Sequence, residues 1–377
     1  MTGQPHVAVV AVGDPESPRT WSGTTTGVLA SLRELGVRAQ AVDLSLPAPL
    51  ERFLLVGASA ATRNRYDAEA AALTAWARGK LARSRLDGDS LAGVIQIGTT
   101  FALPKDVRYV TLEDMTVRQA GVVHPVFSRM SQVGIERWER RRRAIYDRAQ
   151  MCAATSHWVA SSLVGEYGLS SERVAVVGLG ANHLVQAVPS RRDWSSPRFL
   201  FVGIDWERKG GPLLLRAFAR LRAQFPQASL DLVGGHPPVR AEGVTGHGMR
   251  SRAVAGDRAL IAELFARATC LAMPSLVEPF GIVHIEAASA GVPSIGSAVG
   301  GARDVIDPPH GGLVVAPGDE DALLTAMRQL SEPQTARSMG VAARARALEY
   351  TWSKVSQRLL RALGVPVPDR RALAGFL

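Results

Sequence analysis

The chain has 377 residues, of which 46% are hydrophobic and 21% are charged, and its formal net charge is +10. This length exceeds what one hydrophobic core comfortably serves, so two domains are expected, and the composition excludes a disordered chain. The positive charge favours an anionic ligand or surface. Because no zinc-ligand spacing, RNA-binding aromatic signature or basic zipper accompanies it, nucleic acid is not an expected partner.

The sequence predicts no membrane-spanning segment, no signal peptide and no disulfide-forming cysteines. No apolar run is long enough to span a membrane, and the N-terminus lacks a signal-peptide pattern. The two cysteines, Cys152 and Cys270, lie far apart in apolar surroundings and are expected to be reduced core residues. These features predict a cytoplasmic protein.

Strands and helices are predicted to alternate through the first half of the chain. The apolar run at residues 6–12 is typical of a buried parallel strand, and the loop after it turns into a helix around Thr24. Another helix is predicted at residues 68–83. Further strands are predicted at residues 37–44, 52–58 and 91–98. The pattern predicts a doubly wound α/β half-domain.

Two polar segments of this half invite a binding interpretation. Asp87-Gly88-Asp89 has paired aspartates, but Asp-Gly between a helix and a strand is ordinary turn chemistry, so no metal is expected. The helix at residues 134–150 carries the basic run Arg140 to Arg143 opposite an apolar stripe. This pattern predicts a solvated basic face on a docked helix; contact with an anionic membrane around Arg140 is the alternative.

The second half begins after a polar, Pro- and Ser-rich linker at residues 183–197. A strand is predicted to end at Gly203, and a long helix begins at Pro212. Arg208 and Lys209 lie in the loop between them. Cations at a helix start oppose the helix dipole unless an anion binds there, so the pair predicts a diphosphate site.

The segment from Glu278 to Gly291 contains two carboxylates eight positions apart. Pro279 is predicted to begin a helix that Gly291 ends, and Glu286 lies inside it. The unpaired amides of such a helix start favour an anion, so the two acids would flank a diphosphate that carries a sugar on each side. Alternatively, the first acid merely complements the helix dipole and the second faces solvent.

The sequence PSLVEPFGIVHIEAASAGVPSIGSAVGGARDVIDPPHGGLVVAPGD, residues 274–319, resembles the sugar-donor-binding segment of the family-4 retaining glycosyltransferases. The resemblance implies the GT-B fold, with two doubly wound Rossmann-like domains facing a central cleft. It implies an N-terminal acceptor-binding domain at residues 1–185 and a nucleotide-sugar-binding domain at residues 198–349. The C-terminal helix, at about residues 350–364, would cross back to the first domain, and no role is predicted for residues 365–377.

The resemblance also implies roles for residues of the second domain. Glu278 would contact the transferred sugar, and Glu286 would hold the ribose hydroxyls. The loop from His247 to Val254 would contact the nucleobase, although His247 as a loop histidine paired within the protein is an equal alternative. The other implied sugar-donor-binding residues are Met249 in that loop and the backbone amides of Phe280, Gly281 and Ile282.

The chain departs from the family pattern at two places in its first domain. Ser22 takes the place of the first glycine in the loop whose Gly23 lets the backbone approach the phosphates. Where many relatives carry a histidine close to the transferred sugar, this chain has Glu113 and Asp114. Asp114 is the predicted catalytic group there, and His124 is the alternative.

A third departure lies in the second domain, where Ile204 holds the place of a family arginine. Lys209 matches the family lysine, and Arg208 is predicted to replace the missing guanidinium. The implied activity is metal-independent and cofactor-independent transfer of a sugar from a UDP- or GDP-sugar to a hydroxyl acceptor that the sequence does not identify. A catalytically inactive scaffold and a sugar-nucleotide epimerase are the alternatives.

Overall fold

The computed structural model describes residues 4–62, 72–86, 91–123, 127–182 and 192–367. The chain divides into two compact units, the first formed by Met1–Gly180 with Trp352–Leu377 and the second by Ala181–Thr351. The candidates Asp87-Gly88-Asp89 and His124 lie outside the described residues. Every helix within the described ranges is too short or too polar to cross a bilayer.

The first unit is built on a sheet of six parallel strands in the order β2-β1-β3-β4-β5-β6. Strands β3 and β4 are buried at every position, whereas the edge strands β2 and β6 are only partly covered. Burial of the central strands on both faces explains why they are largely apolar and do not alternate strictly between apolar and polar residues. The strands are β1 (His6–Ala11), β2 (Arg38–Asp43), β3 (Gly93–Ile97), β4 (Tyr109–Glu113), β5 (Met151–Ala154) and β6 (Val174–Val176).

Seven described helices accompany this sheet. They are α1 (Thr24–Glu34), α2 (Ala48–Thr62), α3 (Ala72–Arg85), α4 (Val117–Val123), α5 (Gln132–Arg148), α6 (His157–Gly165) and α13 (Trp352–Leu363). The strand predicted at residues 52–58 is wrong, because those residues lie within α2. The Pro49 at its first turn and its run of leucine and alanine favour a helix, and β3 already occupies the position beside β1.

The last helix, α13, packs within the first unit, as the predicted return of the C-terminal helix requires. The Trp352 ring lies against Gly27 of α1, where an added Cβ would be 2.2 Å from the indole Cε2. The hydroxyl oxygens of Ser31 and Ser356 are 2.5 Å apart. Arg358 donates to the carbonyl of Val177 at 3.1 Å.

The second unit is also built on six parallel strands, in the order β12-β11-β10-β7-β8-β9. This is the strand order of dinucleotide-binding Rossmann folds, whose order reverses where β7 and β10 lie side by side. The strands are β7 (Arg198–Gly203), β8 (Ser229–Gly234), β9 (Val244–Gly246), β10 (Cys270–Ala272), β11 (Ser294–Ser297) and β12 (Gly312–Val315). The helices are α7 (Gly211–Arg222), α8 (Ala255–Arg267), α9 (Ile282–Ser289), α10 (Ala302–Ile306), α11 (Glu320–Gln329) and α12 (Pro333–Ala347).

The close contact between Trp352 and Gly27 predicts that adding a side chain at position 27 destabilises the protein. We expect Gly27→Ala to destabilise the protein by about 1–3 kcal/mol, because the new methyl group must displace a packed indole. Gly57→Ala is the matched control, since a Cβ there meets no atom within 4 Å and a helical alanine gains about 0.5–1 kcal/mol over glycine. Urea unfolding measures both; equal effects of the two changes would contradict the packing assignment.

Candidate functional site

The carboxyl ends of β7 and β10 bring two loops of the second unit together. The backbone N–H of Leu276 donates to the carbonyl of Arg208 at 2.8 Å, which ties one loop to the other. Gly210 caps α7 with a left-handed φ of +76°. A Cβ at Gly210 would be 2.1 Å from the carbonyl oxygen of Pro274, so only glycine allows the two backbones this close. Open α/β sheets bind their ligands at this reversal of strand order.

Lys209 and Glu278 form an ion pair in this position. Their side chains are 13% and 6% exposed, so both charges are largely removed from water. The hydroxyl of Ser275 donates to the same carboxylate oxygen at 3.1 Å. Burial raises the pKa of Glu278, but the charge and hydrogen bond of Lys209 outweigh burial and hold it below its usual range. The carboxylate is therefore ionised at neutral pH.

Helix α9 begins at Ile282, so the prediction that Pro279 is its first residue is wrong. The reason lies in backbone pairing before the helix. Glu278 forms a parallel bridge with Gly300, and its carbonyl accepts from the N–H of Gly301 at 2.9 Å. This pairing keeps the chain extended at Glu278, and Gly281 then turns it into the helix with a φ of +84°.

The start of α9 lies beside the buried ion pair. A Cβ at Gly281 would be 2.9 Å from Cγ of Glu278, so the side chain that binds Lys209 packs directly on this glycine. The predicted cation and the predicted amide-rich helix tip thus share one location. Phe280 is 3% exposed and packs edge-on against Tyr350 with ring centroids 6.0 Å apart, so its ring belongs to the core and only its backbone remains available.

His284 is a member of this group that the sequence analysis missed. It is 1% exposed, and among the described residues neither of its ring nitrogens has a hydrogen-bond partner. A Cβ at Gly281 would be 2.7 Å from its Cδ2 atom, so the ring lies under the helix start. Burial lowers its pKa to about 4, and the imidazole is neutral. A histidine inside an apolar helical run was the available signal.

Glu286 is held by a residue that the sequence analysis did not single out. Nη2 of Arg252 lies 2.5 Å from its Oε2 atom, and the two side chains are 29% and 5% exposed. Burial raises the pKa of Glu286 to about 7, and Arg252 only partly opposes this effect. Glu286 is the fifth residue of α9, about one turn inside, rather than two turns inside as the predicted helix start implied. The available signal was an arginine in the loop expected to meet the nucleobase.

The loop from His247 to Val254 is anchored to the sheet through its histidine. Nε2 of His247 lies 2.7 Å from Oδ1 of Asp231, and Arg267 donates to the same oxygen at 2.8 Å. This favours the alternative in which His247 is paired within the protein. Met249 is 60% exposed at the surface of the loop.

Arg208 lies next to Lys209 but is directed to protein atoms. Its Nε donates to Asp205 at 3.1 Å and its Nη1 donates to the carbonyl of Val277 at 3.1 Å. The guanidinium therefore braces the loop that carries Glu278. Ile204, in the place of the family arginine, is 75% exposed.

In the first unit, the loop after β1 has an unusual backbone. Trp21, Ser22 and Gly23 are consecutive residues with φ of 49°, 53° and 83°, and Gly23 caps α1. Two non-glycine residues in this conformation cost about 1–3 kcal/mol each, a strain that clusters at functional sites. The Trp21 ring is held against Gly98 after β3, where a Cβ would be 2.4 Å from Cζ2. The loop predicted to carry Gly23 is therefore defined by tertiary contacts.

The end of β4 carries a second buried ion pair. Glu113 is 1% exposed, and Arg142 donates to it at 3.1 Å and also to Thr99. The basic run is therefore not wholly a solvated face, because Arg142 lies on the buried side of α5 whereas Arg140 is exposed. Burial raises the pKa of Glu113 to about 7, against the effect of Arg142. Asp114 is half-buried beside it, and burial raises its pKa as well.

Comparison with known proteins identifies the second unit. Residues 196–332 match the family described as "Glycosyl transferases group 1". The second unit belongs to that glycosyltransferase family. The resemblance seen in the sequence is thereby confirmed.

Two curated bacterial enzymes are similar to part of this chain. A GDP-mannose-dependent alpha-(1-6)-phosphatidylinositol monomannoside mannosyltransferase of Mycolicibacterium smegmatis is 34% identical over 172 residues, 41% of this chain and 44% of the relative. A D-inositol 3-phosphate glycosyltransferase of Rhodococcus opacus is 32% identical over 222 residues, 52% of this chain and 49% of the relative. The chain spans about half the length of the curated relatives that it matches.

Solved structures show that the whole chain has the GT-B glycosyltransferase fold. Sucrose-phosphate synthase from Thermosynechococcus elongatus superposes with a TM-score of 0.68 at 20% identity, over 99% of this chain and 100% of that chain. WaaG, a glycosyltransferase involved in lipopolysaccharide biosynthesis, superposes with a TM-score of 0.64 at 17% identity, over 94% of this chain and 99% of that chain. The fold predicted from the sequence is confirmed.

The buried Arg142 predicts a sharp difference within the basic run. We expect Arg142→Ala to cost about 3–5 kcal/mol of stability, because it leaves the Glu113 carboxylate buried without its partner. Arg140→Ala, at an exposed position of the same helix, should change stability by less than about 0.5 kcal/mol. Thermal unfolding of the two variants makes the comparison, and similar losses would show that Arg142 is not a buried partner.

The two acids of the second unit predict opposite pH dependences. Because burial raises the pKa of Glu286, its protonated form is favoured in the folded protein. The stability that this gives is fully present below the pKa of 4.5 expected in the unfolded chain, and it is lost as pH rises through about 7. Glu286→Gln should therefore become more stable than the parent as pH rises from 5 to 8, by up to about 3 kcal/mol. The pKa of Glu278 is lowered, so Glu278→Gln should be the less stable protein at neutral pH and converge with the parent in acid.

Urea unfolding of the parent and both variants, from acid below pH 4.5 up to pH 8, measures the two differences. Groups shared by all three proteins cancel in each difference. Curves of the same sign for both variants would contradict the assigned environments.

Proposed function

We propose that the protein is a retaining glycosyltransferase that moves a sugar from a nucleoside diphosphate sugar to a hydroxyl acceptor. The observation that carries the proposal is the buried pair of Lys209 and Glu278 directly beside the start of α9, at the carboxyl ends of β7 and β10. A helix start presents unpaired amides and a positive dipole end, and the lysine adds a full charge. Together they suit a diphosphate.

Glu278 and Glu286 then bind different parts of the sugar donor. Glu278 is ionised and held by Lys209 and Ser275, which supports the proposal that it accepts hydrogen bonds from hydroxyls of the transferred sugar. Glu286 lies further along α9 and is proposed to accept from the ribose hydroxyls. The nucleobase lies against the loop that carries His247 and Met249. The backbone amides of Gly281 and Ile282, with that of Phe280, contact the diphosphate and the sugar.

In the proposed reaction the acceptor oxygen bonds to the anomeric carbon while the bond from that carbon to the diphosphate oxygen breaks. The electron pair leaves with the diphosphate, which takes the acceptor proton, and attack on the face of the leaving group retains configuration. Lys209 and the amides at Gly281 stabilise the charge that grows on the diphosphate. Each preorganised group of this kind contributes about 3 kcal/mol, so the step is proposed to need neither a metal nor a cofactor.

Arg208 completes the proposed site of the second unit. Arg208 acts chiefly by bracing the loop that carries Glu278, through its bonds to Asp205 and Val277. Gly23 and Asp114 lie in the first unit, and the roles that the sequence resemblance implies for them, at the phosphates and on the acceptor side, stay predictions. The mannosyltransferase relative is named for GDP-mannose, so GDP-sugars are the first donors to test, followed by the UDP-sugars that the sequence resemblance also implies.

Assays of sugar-donor loss with and without acceptors test the reaction. Release of nucleoside diphosphate only when a saccharide, inositol or lipid-linked acceptor is present is the expected outcome. A changed sugar nucleotide without acceptor would indicate an epimerase. Tight binding without turnover would indicate a scaffold, and either result would overturn the proposal.

Substitution of the two acids tests their assigned roles. We expect saturating UDP or GDP to raise the unfolding temperature of the parent, because a ligand at a hundred times its Kd stabilises the folded state by about 2.7 kcal/mol. Glu286→Gln should reduce this response more than Glu278→Gln, whereas Glu278→Gln should mainly lower turnover. Negligible effects of both changes on the response and on turnover would remove the assignment.

A further inference from the structure

Arg252 lies in the segment between β9 and α8, far along the chain from the acid that it contacts. Its Nη2 atom donates to Oε2 of Glu286 at 2.5 Å. The carboxylate is 5% exposed and the guanidinium 29% exposed, so the arginine approaches from the solvent side of a buried acid. The contact involves one of the two carboxylate oxygens. The carboxylate can therefore still accept hydrogen bonds from hydroxyl groups.

The backbone around Arg252 is fixed by contacts that do not involve Glu286. The N–H of Ser251 donates to Asp257 at 2.8 Å. Arg258 donates through one nitrogen to the carbonyl of Arg252 at 2.8 Å and to that of Ala253 at 3.0 Å. The segment therefore presents the Arg252 side chain from an anchored position, and its place is not merely a consequence of the ion pair.

A buried acid that must bind hydroxyl groups has a specific electrostatic need. Burial drives Glu286 toward its protonated form, and Arg252 is the cation that opposes this. A protonated carboxyl group loses acceptor capacity and the stronger charge-assisted hydrogen bonds of the carboxylate. Lys209 meets the same need for Glu278. Each acid of the pair thus has its own cation.

We propose that Arg252 is a positioning residue for ribose recognition, which holds Glu286 as an oriented, ionised acceptor for the two neighbouring hydroxyls of a nucleoside diphosphate. This inference rests on the proposed function, because it assigns the ribose to Glu286. It assigns to Arg252 a role in discriminating ribonucleotides from 2′-deoxyribonucleotides, which a purely structural arginine would not have.

Calorimetric titration of GDP against 2′-deoxy-GDP, and of UDP against 2′-deoxy-UDP, tests the proposal. Of GDP and UDP, we consider the one that the parent binds more tightly. We expect the parent to bind it about tenfold more tightly than its 2′-deoxy form, because the deoxy form lacks one hydrogen bond to a charged group. In Arg252→Ala the ratio should fall to about twofold, through weaker binding of the ribonucleotide. The ratio is informative because binding of the diphosphate is common to both ligands and cancels.

Two further variants separate positioning from general damage to the loop. Arg250→Ala removes an arginine of the same segment that pairs with Asp257 at 3.2 Å, and it should keep the parent ratio. Arg252→Lys retains a cation and should recover about half of the lost discrimination, expressed as free energy. Thermal unfolding of each variant establishes that it is folded.

The outcomes distinguish this inference from the proposed function. If the parent discriminates and Arg252→Ala discriminates equally, or if Arg250→Ala loses the ratio to the same extent, the role of Arg252 is overturned while the glycosyltransferase proposal stands. If the parent binds neither GDP nor UDP, both are overturned. If it binds both sugar forms equally, the assignment of ribose to Glu286 falls, and the role of Arg252 with it.

Discussion

Lys209 and Glu278 meet where both charges are largely excluded from water, and such a pair persists only if the surrounding chain holds its partners in place. Three backbone features do so. Gly210 lets the loop of Lys209 approach Pro274, Leu276 bonds back to Arg208, and Glu278 is bridged to Gly300. The start of α9 depends on the same bridge, because the helix cannot begin until the chain has left Glu278. The ion pair and the helix start are thus one construction.

The two acids of the site experience different electrostatics although they lie eight positions apart. Glu278 has a nearly buried lysine beside it, and its pKa is lowered, whereas Glu286 has a more exposed arginine and a pKa raised to about 7. Ionisation of Glu286 therefore destabilises the folded state. Such a cost is expected where a residue is retained for binding rather than stability.

The first unit also has a buried acid at the carboxyl end of a parallel strand. Glu113 ends β4 and is paired with Arg142, and Thr99 after β3 accepts from the same guanidinium. This joins the ends of two neighbouring strands to α5. The left-handed residues from Trp21 to Gly23 lie after β1 in the same sheet and are also held by packing, against Gly98. Strand ends in both units carry buried charged groups, and in the first unit the loop after β1 also carries backbone strain.

The sequence by itself determined the features that short-range chemistry encodes: the alternating strands and helices, the motif from Glu278 to Gly291 and the cationic loop at Lys209. Apolar periodicity and turn residues act over a few positions, so they can be read directly. Only the tertiary structure decided that residues 52–58 are helical, that α9 begins at Ile282, and that Arg142 and Arg252 are partners of buried acids. These outcomes depend on residues distant in the chain, such as Glu286, which is 34 positions from Arg252. No local pattern records which distant residues folding will bring together.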